Sequence, residues 1–158
     1  MIEAVQKGIW RKDFVLHSSD GSLVELDVST WREKAEFNLQ DVPYQLYRES
    51  AFGDFVLERD GTVIARATKV SVFREAFHLD VNGHALTVKK ISIWRRGFGV
   101  YDGEAMVGSV MPRHWYSSDS VIDLPDEWNL ALQLFLFWLV LLMWKREAAA
   151  AAPCCGRR

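Results

Sequence analysis

Apolar and polar residues alternate with period two over most of the chain up to Leu124, and residues suited to tight turns break the alternation at short intervals. In "DFVLERDGTVIARATKV", Phe55, Leu57 and Arg59 alternate with Asp54, Val56 and Glu58; then come Asp60-Gly61 and a second extended run with Val63, Ala65 and Ala67 on one face. Asp-Gly and Asn-Gly accept the positive φ that a two-residue hairpin turn demands, so the stretch predicts a β-hairpin. The same holds for "FHLDVNGHALTVKKI" around Asn82-Gly83, "FGVYDGEAMVGSV" around Asp102-Gly103, and "FVLHSSDGSLVELDV" with Ser18 to Gly21 as its loop. "AEFNLQDVPYQLYRES" predicts two shorter strands hinged near Asp41 to Pro43. Ten or more short strands result, as loose hairpin echoes without a strict repeat. Thr30-Trp31-Arg32-Glu33 fits a capping box for a single helical turn. A meander this long hides its edges by closing into a barrel or folding into a sandwich.

The pattern changes at the C-terminal end. "LALQLFLFWLVLLMW", Leu130 to Trp144, is apolar on every side, and such a helix must be surrounded by lipid or by protein. It covers roughly 22 Å, whereas a bilayer core is about 30 Å thick and takes about 20 residues. Asp126 and Glu127 precede it and Lys145 and Arg146 follow it, as the dipole of a helix of about residues 126–146 prefers. The small residues Ala65, Ala67 and Gly108 leave room inside the sheet, and a barrel of ten to twelve strands is too wide for its own side chains to fill. The expectation is one domain over residues 1–146: a mainly β, closed antiparallel barrel of about ten to twelve strands enclosing a hydrophobic C-terminal α-helix. The alternative is a C-terminal membrane tail anchor. Residues 147–158, rich in alanine, are expected to form a disordered tail.

Composition sharpens this picture only locally. The 158 residues carry a net charge of −2, which gives no whole-protein reason to expect nucleic acid or an anionic membrane as a partner. Between Thr62 and Tyr101, however, Arg66, Lys69, Arg74, Lys89, Lys90, Arg95 and Arg96 face only Glu75 and Asp80. The two cysteines, Cys154 and Cys155, are adjacent and cannot staple a core. "MIEAVQKGIWRKDF" lacks the apolar run of a secretory signal, so a cytoplasmic chain is expected.

Three stretches resemble the tubby C-terminal-like superfamily, which includes phospholipid scramblases, LURP-one-related proteins and small bacterial proteins: Gly53 to Gly83, Phe98 to Val110, and Asp123 to Arg146. The resemblance implies a barrel of about twelve strands around a hydrophobic helix. It also implies a non-enzymatic scaffold or binding module, peripheral at a membrane, whose partner is an anionic phospholipid or a protein. The nearest equivalent of the family's phosphoinositide site is Lys89, Lys90, Arg95 and Arg96. The acidic calcium segment of scramblases corresponds in place to Asp119, Asp123, Asp126 and Glu127, but Pro125 and the lack of glycine do not suit a calcium loop.

No recognisable catalytic motif accompanies these features. The histidines His17, His78, His84 and His114 lack metal-ligand spacing, although His78 and His84 flank one turn and could face each other near Asp80. "RRGFGVY" faintly echoes an RNA-binding strand but stands among hairpins. Trp94, Phe98 and Tyr101 either cluster towards a ligand beside Arg95 and Arg96 or divide between core packing and edge protection. No enzyme activity, cofactor, metal or membrane-spanning segment is expected.

Overall fold

A computed structural model describes residues 1–8, 13–29, 32–70 and 76–152. Twelve strands follow one another: β1 (Ile2–Gln6), β2 (Phe14–Ser18), β3 (Leu23–Val28), β4 (Lys34–Leu39), β5 (Val42–Arg48), β6 (Phe55–Arg59), β7 (Thr62–Lys69), β8 (Ala76–Val81), β9 (His84–Lys90), β10 (Phe98–Asp102), β11 (Ala105–Pro112) and β12 (Ser120–Asp123). Each pairs antiparallel with its sequence neighbours, and β1 pairs with β12 to close the barrel. Helix α1 (Leu130–Ala151) follows the last strand.

Period-two alternation puts one row of side chains from every strand inside, among them Phe14, Leu16, Leu26, Phe37, Leu46, Phe55, Phe77, Val88 and Phe98, all buried. The wall is too wide for these to meet across the axis, and α1 fills the space. Ala131 to Val140 are buried without interruption around the whole helix. Trp138 packs edge-on against Phe55, which does the same with Phe77, and Phe14 meets Phe137. Ala65 and Ala67, both inside, leave room for these rings.

The two ends of the barrel are built differently. At one end the strands turn tightly: Gln40-Asp41, Asp60-Gly61 and Asn82-Gly83 all have positive φ at both positions. At the other end lie the longer connections β1–β2, β3–β4, β5–β6, β7–β8, β9–β10 and β11–β12. Each is closed by one backbone hydrogen bond: Lys7 to Asp13, Ser29 to Lys34, Glu49 to Asp54, Val70 to Ala76, Ile91 to Gly97 and Arg113 to Asp119. The helix starts at the turn end and leaves through the loop end.

Several sequence expectations are corrected. The β4–β5 turn is Gln40-Asp41, and Pro43 lies inside β5 opposite Asn38. The β10–β11 loop is Gly103-Glu104, since Asp102 still pairs with Ala105. Val63 is exposed instead of sharing the inner face of Ala65, because a bulge in β7 opposite Leu57/Glu58 shifts the alternation by one residue. A matching bulge in β11 turns Met106 outward. Gly108 makes room not for α1 but for the segment before it: an added Cβ would lie 2.6 Å from the Asp123 carbonyl oxygen and 3.2 Å from Leu124 Cα.

The helix bounds also differ. Asn129 is the N-cap, its side chain accepting from Ala131 N at 2.8 Å, so Asp126 and Glu127 stand outside the first turn. The C-terminal end runs past Lys145 and Arg146 to Ala151, because alanine has the highest helix propensity and continues the last turns. Residues 147–151, expected to be a disordered tail, are therefore helical. Among the described residues no helix is long and apolar enough to cross a membrane. Of the expected capping box, Thr30 and Trp31 lie outside the described residues, while Arg32 and Glu33 form a bend and Lys34 opens β4, so the expected helical turn gives way to strand.

Candidate functional site

The loop end gathers most of the features that the architecture does not consume. Here α1 is latched to the wall at three points. Trp144 Nε1 donates to the Arg96 carbonyl at 2.6 Å, Glu147 pairs with Lys90, and Arg146 Nη2 donates to Glu33 Oε1 at 2.6 Å. Arg48 approaches the other Glu33 oxygen at 3.2 Å, and both guanidiniums lie over the Phe55 ring, at 4.9 Å for Arg48 and 5.6 Å for Arg146. Burial pushes the Glu33 carboxyl up, but the hydrogen bond from Arg146 and the charges of Arg146 and Arg48 outweigh it and hold Glu33 below its usual value.

The four basic residues expected to form one patch are divided by the pleat. Lys90 continues the inner face of Leu86 and Val88, which is why it meets the helix. Lys89, its neighbour, points outward and places Nζ 4.5 Å above the Tyr101 ring. Arg95 stands exposed on the β9–β10 connection. Arg96 lies over Trp144 at 5.3 Å and donates from Nη1 to the Trp115 carbonyl at 3.0 Å. The structure thus brings Arg95 and Arg96 to the rim, leaves Lys89 on the adjoining wall, and uses Lys90 to hold α1.

Of the two readings of Trp94, Phe98 and Tyr101, the structure shows the divided one. Phe98 is in the core against Trp144, Tyr101 is on the wall, and Trp94 is 89% exposed on the rim. His78 and His84 do not face each other: His78 pairs with Thr87 and His84 with Asp102. Asp80 accepts from Gly83 N within its turn, and Asp119 accepts from Gln6 N. Among the described residues no group of His, Cys, Asp and Glu could hold a metal ion.

The sequence also carries a period longer than the strand alternation. Trp10, Trp31, Phe52, Phe73, Trp94 and Trp115 recur at a fixed interval of 21 residues. Arginine follows at 11, 32, 74 and 95, and serine stands two residues before at 29, 50, 71 and 92. Each interval spans one long connection and one hairpin, so the barrel is a repeat architecture after all. The tight turns slip by a residue between units, whereas the connections keep the interval. Of the six aromatics, Phe52, Trp94 and Trp115 are among the described residues, and all three are exposed.

The ends also differ in charge. The turn end carries Asp20, Asp41, Asp60, Asp102, Glu104, Asp126 and Glu127 against Arg59. The loop end carries Arg32, Arg95, Arg96, Arg113 and Lys145 besides Asp13, Glu33, Glu49, Asp54, Asp119 and Glu147, of which Glu33, Glu49, Asp54 and Glu147 pair with bases. A cavity of about 230 Å³ opens beside the last turns of α1, lined by Phe14, Val28, Trp138, Leu142 and Trp144, with Arg96 and Lys145 at its edge. A second, of about 320 Å³, lies at the turn end among Ile64, Val81, Leu86, Trp128 and Leu132. Neither brings together an acid, a base and a nucleophile.

Fold and site together define a closed, up-and-down, twelve-strand antiparallel barrel around an axial helix, polarised from an acidic turn end to a basic loop end. Compared with protein-family models, curated proteins and solved structures, the chain finds no match in any of the three.

Proposed function

We propose that the chain is a non-catalytic binding module of the tubby C-terminal-like kind, peripheral at the cytoplasmic face of a membrane, that contacts anionic phospholipid through the basic residues of its loop end. The charge polarity of the barrel carries this reading. A body with an excess of acids at one end and an excess of bases at the other turns its basic end towards a negative surface, where each base near the surface contributes about 1 kcal/mol. The barrel with an axial helix agrees with the sequence resemblance. Of the four residues singled out by that resemblance, Arg95 is exposed at the rim, Arg96 lies at the rim over Trp144, Lys89 is on the adjoining wall, and Lys90 supports the helix beneath.

The test is sedimentation with phosphatidylcholine vesicles, with and without phosphatidylserine. Binding should require the anionic lipid and fall as salt rises, because exposed charges are screened. Lys89→Glu combined with Arg95→Glu should weaken it about tenfold or more, the equivalent of roughly 1.4 kcal/mol or more. Both side chains are exposed, so the fold should be retained; undiminished binding by this variant would refute the basic surface. A tail anchor is the competing arrangement, and Leu134 to Val140, all at 0% exposure inside the barrel, argue against it.

A further inference from the structure

The loop end carries a second feature that charge does not explain. Phe52 is 97% exposed, Trp94 89% and Trp115 82%, and Ile93 and Tyr116 beside them are also exposed. Large rings left in water are costly unless something covers them. They stand on three different connections: Phe52 between β5 and β6, Ile93 and Trp94 between β9 and β10, Trp115 and Tyr116 between β11 and β12. Six such connections share the rim, so the β5–β6 and β11–β12 connections lie on opposite sides of the mouth.

We infer that this rim is a bilayer-docking face. Phe52, Trp94 and Trp115 enter the interfacial layer of the membrane, Arg95 engages anionic headgroups between them, and the barrel stands end-on with its axis near the membrane normal. This rests on the phospholipid reading above and adds the apolar half of the contact and its orientation.

The arrangement favours a bilayer over a protein partner. Protein interfaces concentrate their anchors in a central, fully desolvated cluster. Here the rings stand on separate connections around the rim, with basic residues between them. A membrane interface accepts separate aromatic rings at one depth, with a ring edge in the headgroup layer and cations beside phosphate. Placement on equivalent connections of one barrel end gives the rings a common level. The last turn of α1, exposed from Ala148 to Ala151, leaves through the middle of the same surface and carries no acid that would repel it from anionic lipid.

The full chain should be mixed with phosphatidylcholine/phosphatidylserine vesicles whose acyl chains are brominated near the carbonyl. Bromine quenches indole fluorescence only at contact distance. The wild type should be quenched, and that quenching should fall measurably in Trp94→Phe/Trp115→Phe. A triple variant, Phe52→Ser/Trp94→Ser/Trp115→Ser, should bind these vesicles at least about tenfold more weakly, a loss consistent with withdrawing three partly inserted rings. Its unfolding midpoint should match the wild type, since none of the three side chains is in the core.

If the wild type binds without quenching, or the triple variant binds vesicles as the wild type does, the inference is overturned while the phospholipid reading stands. The second result would assign the rings to another partner, such as a protein. If the wild type does not bind anionic vesicles at all, both fall.

Discussion

Glu33 shows how a single residue joins the wall to the axis. It precedes β4, yet its two carboxylate oxygens meet Arg146 of α1 and Arg48 of β5. Its pKa lies below the usual value of 4.5, so the pairing stabilises the fold above that value and is lost as pH falls through the lower, folded-state value. Glu33→Gln should therefore lower stability near neutral pH by about 1 to 2 kcal/mol, a discount from a fully buried pair because the group is partly exposed. Thermal melts across about pH 3 to 7 should show the variant and the wild type converging at the acid end. Neither partner was visible beforehand: Arg48 and Arg146 lie 15 and 113 residues away in sequence, and only the closed barrel brings them together. Lys89 and Lys90 teach the complementary lesson. Adjacent in sequence, they face opposite sides of β9, so a run of like charges became one exposed base and one latch.

At the scale of elements, the strands were the most legible part, because alternation and turn residues are local. The bulges in β7 and β11 were not, since an extra residue is recognised only against its partner strand. They account for the misplacement of Val63 and for the outward position of Met106. The helix was legible as an object that had to be covered, but its ends were not: Asn129 caps it by side-chain geometry, and the alanine run extends it. Its midpoint offers a direct test. Leu136 is fully buried, so Leu136→Asp places an unpaired charge on the barrel axis at a cost of several kcal/mol, comparable to a stability of about 5 to 15 kcal/mol. Circular dichroism and melting should show a chain that no longer folds cooperatively. A folded variant with an unchanged midpoint would contradict the axial position.

For the molecule as a whole, the decisive feature is how the repeat closes. Five hairpins are continuous in the chain: β2–β3, β4–β5, β6–β7, β8–β9 and β10–β11. The sixth is split, because the chain after β12 enters the barrel as α1 and the strand it lacks is supplied by β1 from the other terminus. Ile2 pairs with Ile122 and Ala4 with Ser120, and the N-terminal ammonium reaches Asp126 at 3.3 Å. This seam is a pairing that no turn holds in place. Ala4→Pro, at a buried position paired on both sides, should remove a ladder donor and destabilise by about 3 kcal/mol or more. Hydrogen exchange should then show amides of β12 losing protection before those of the β8–β9 hairpin. The sequence by itself determined the strands, the hairpins, the need to cover a wholly apolar helix and, in its 21-residue period, six equivalent units. Tertiary structure alone decided that the sixth unit would be completed by the first strand, that basic loops and acidic turns would collect at opposite ends, and which residues latch the helix. Strand formation depends on neighbours in the chain, whereas closure depends on contacts more than a hundred residues apart.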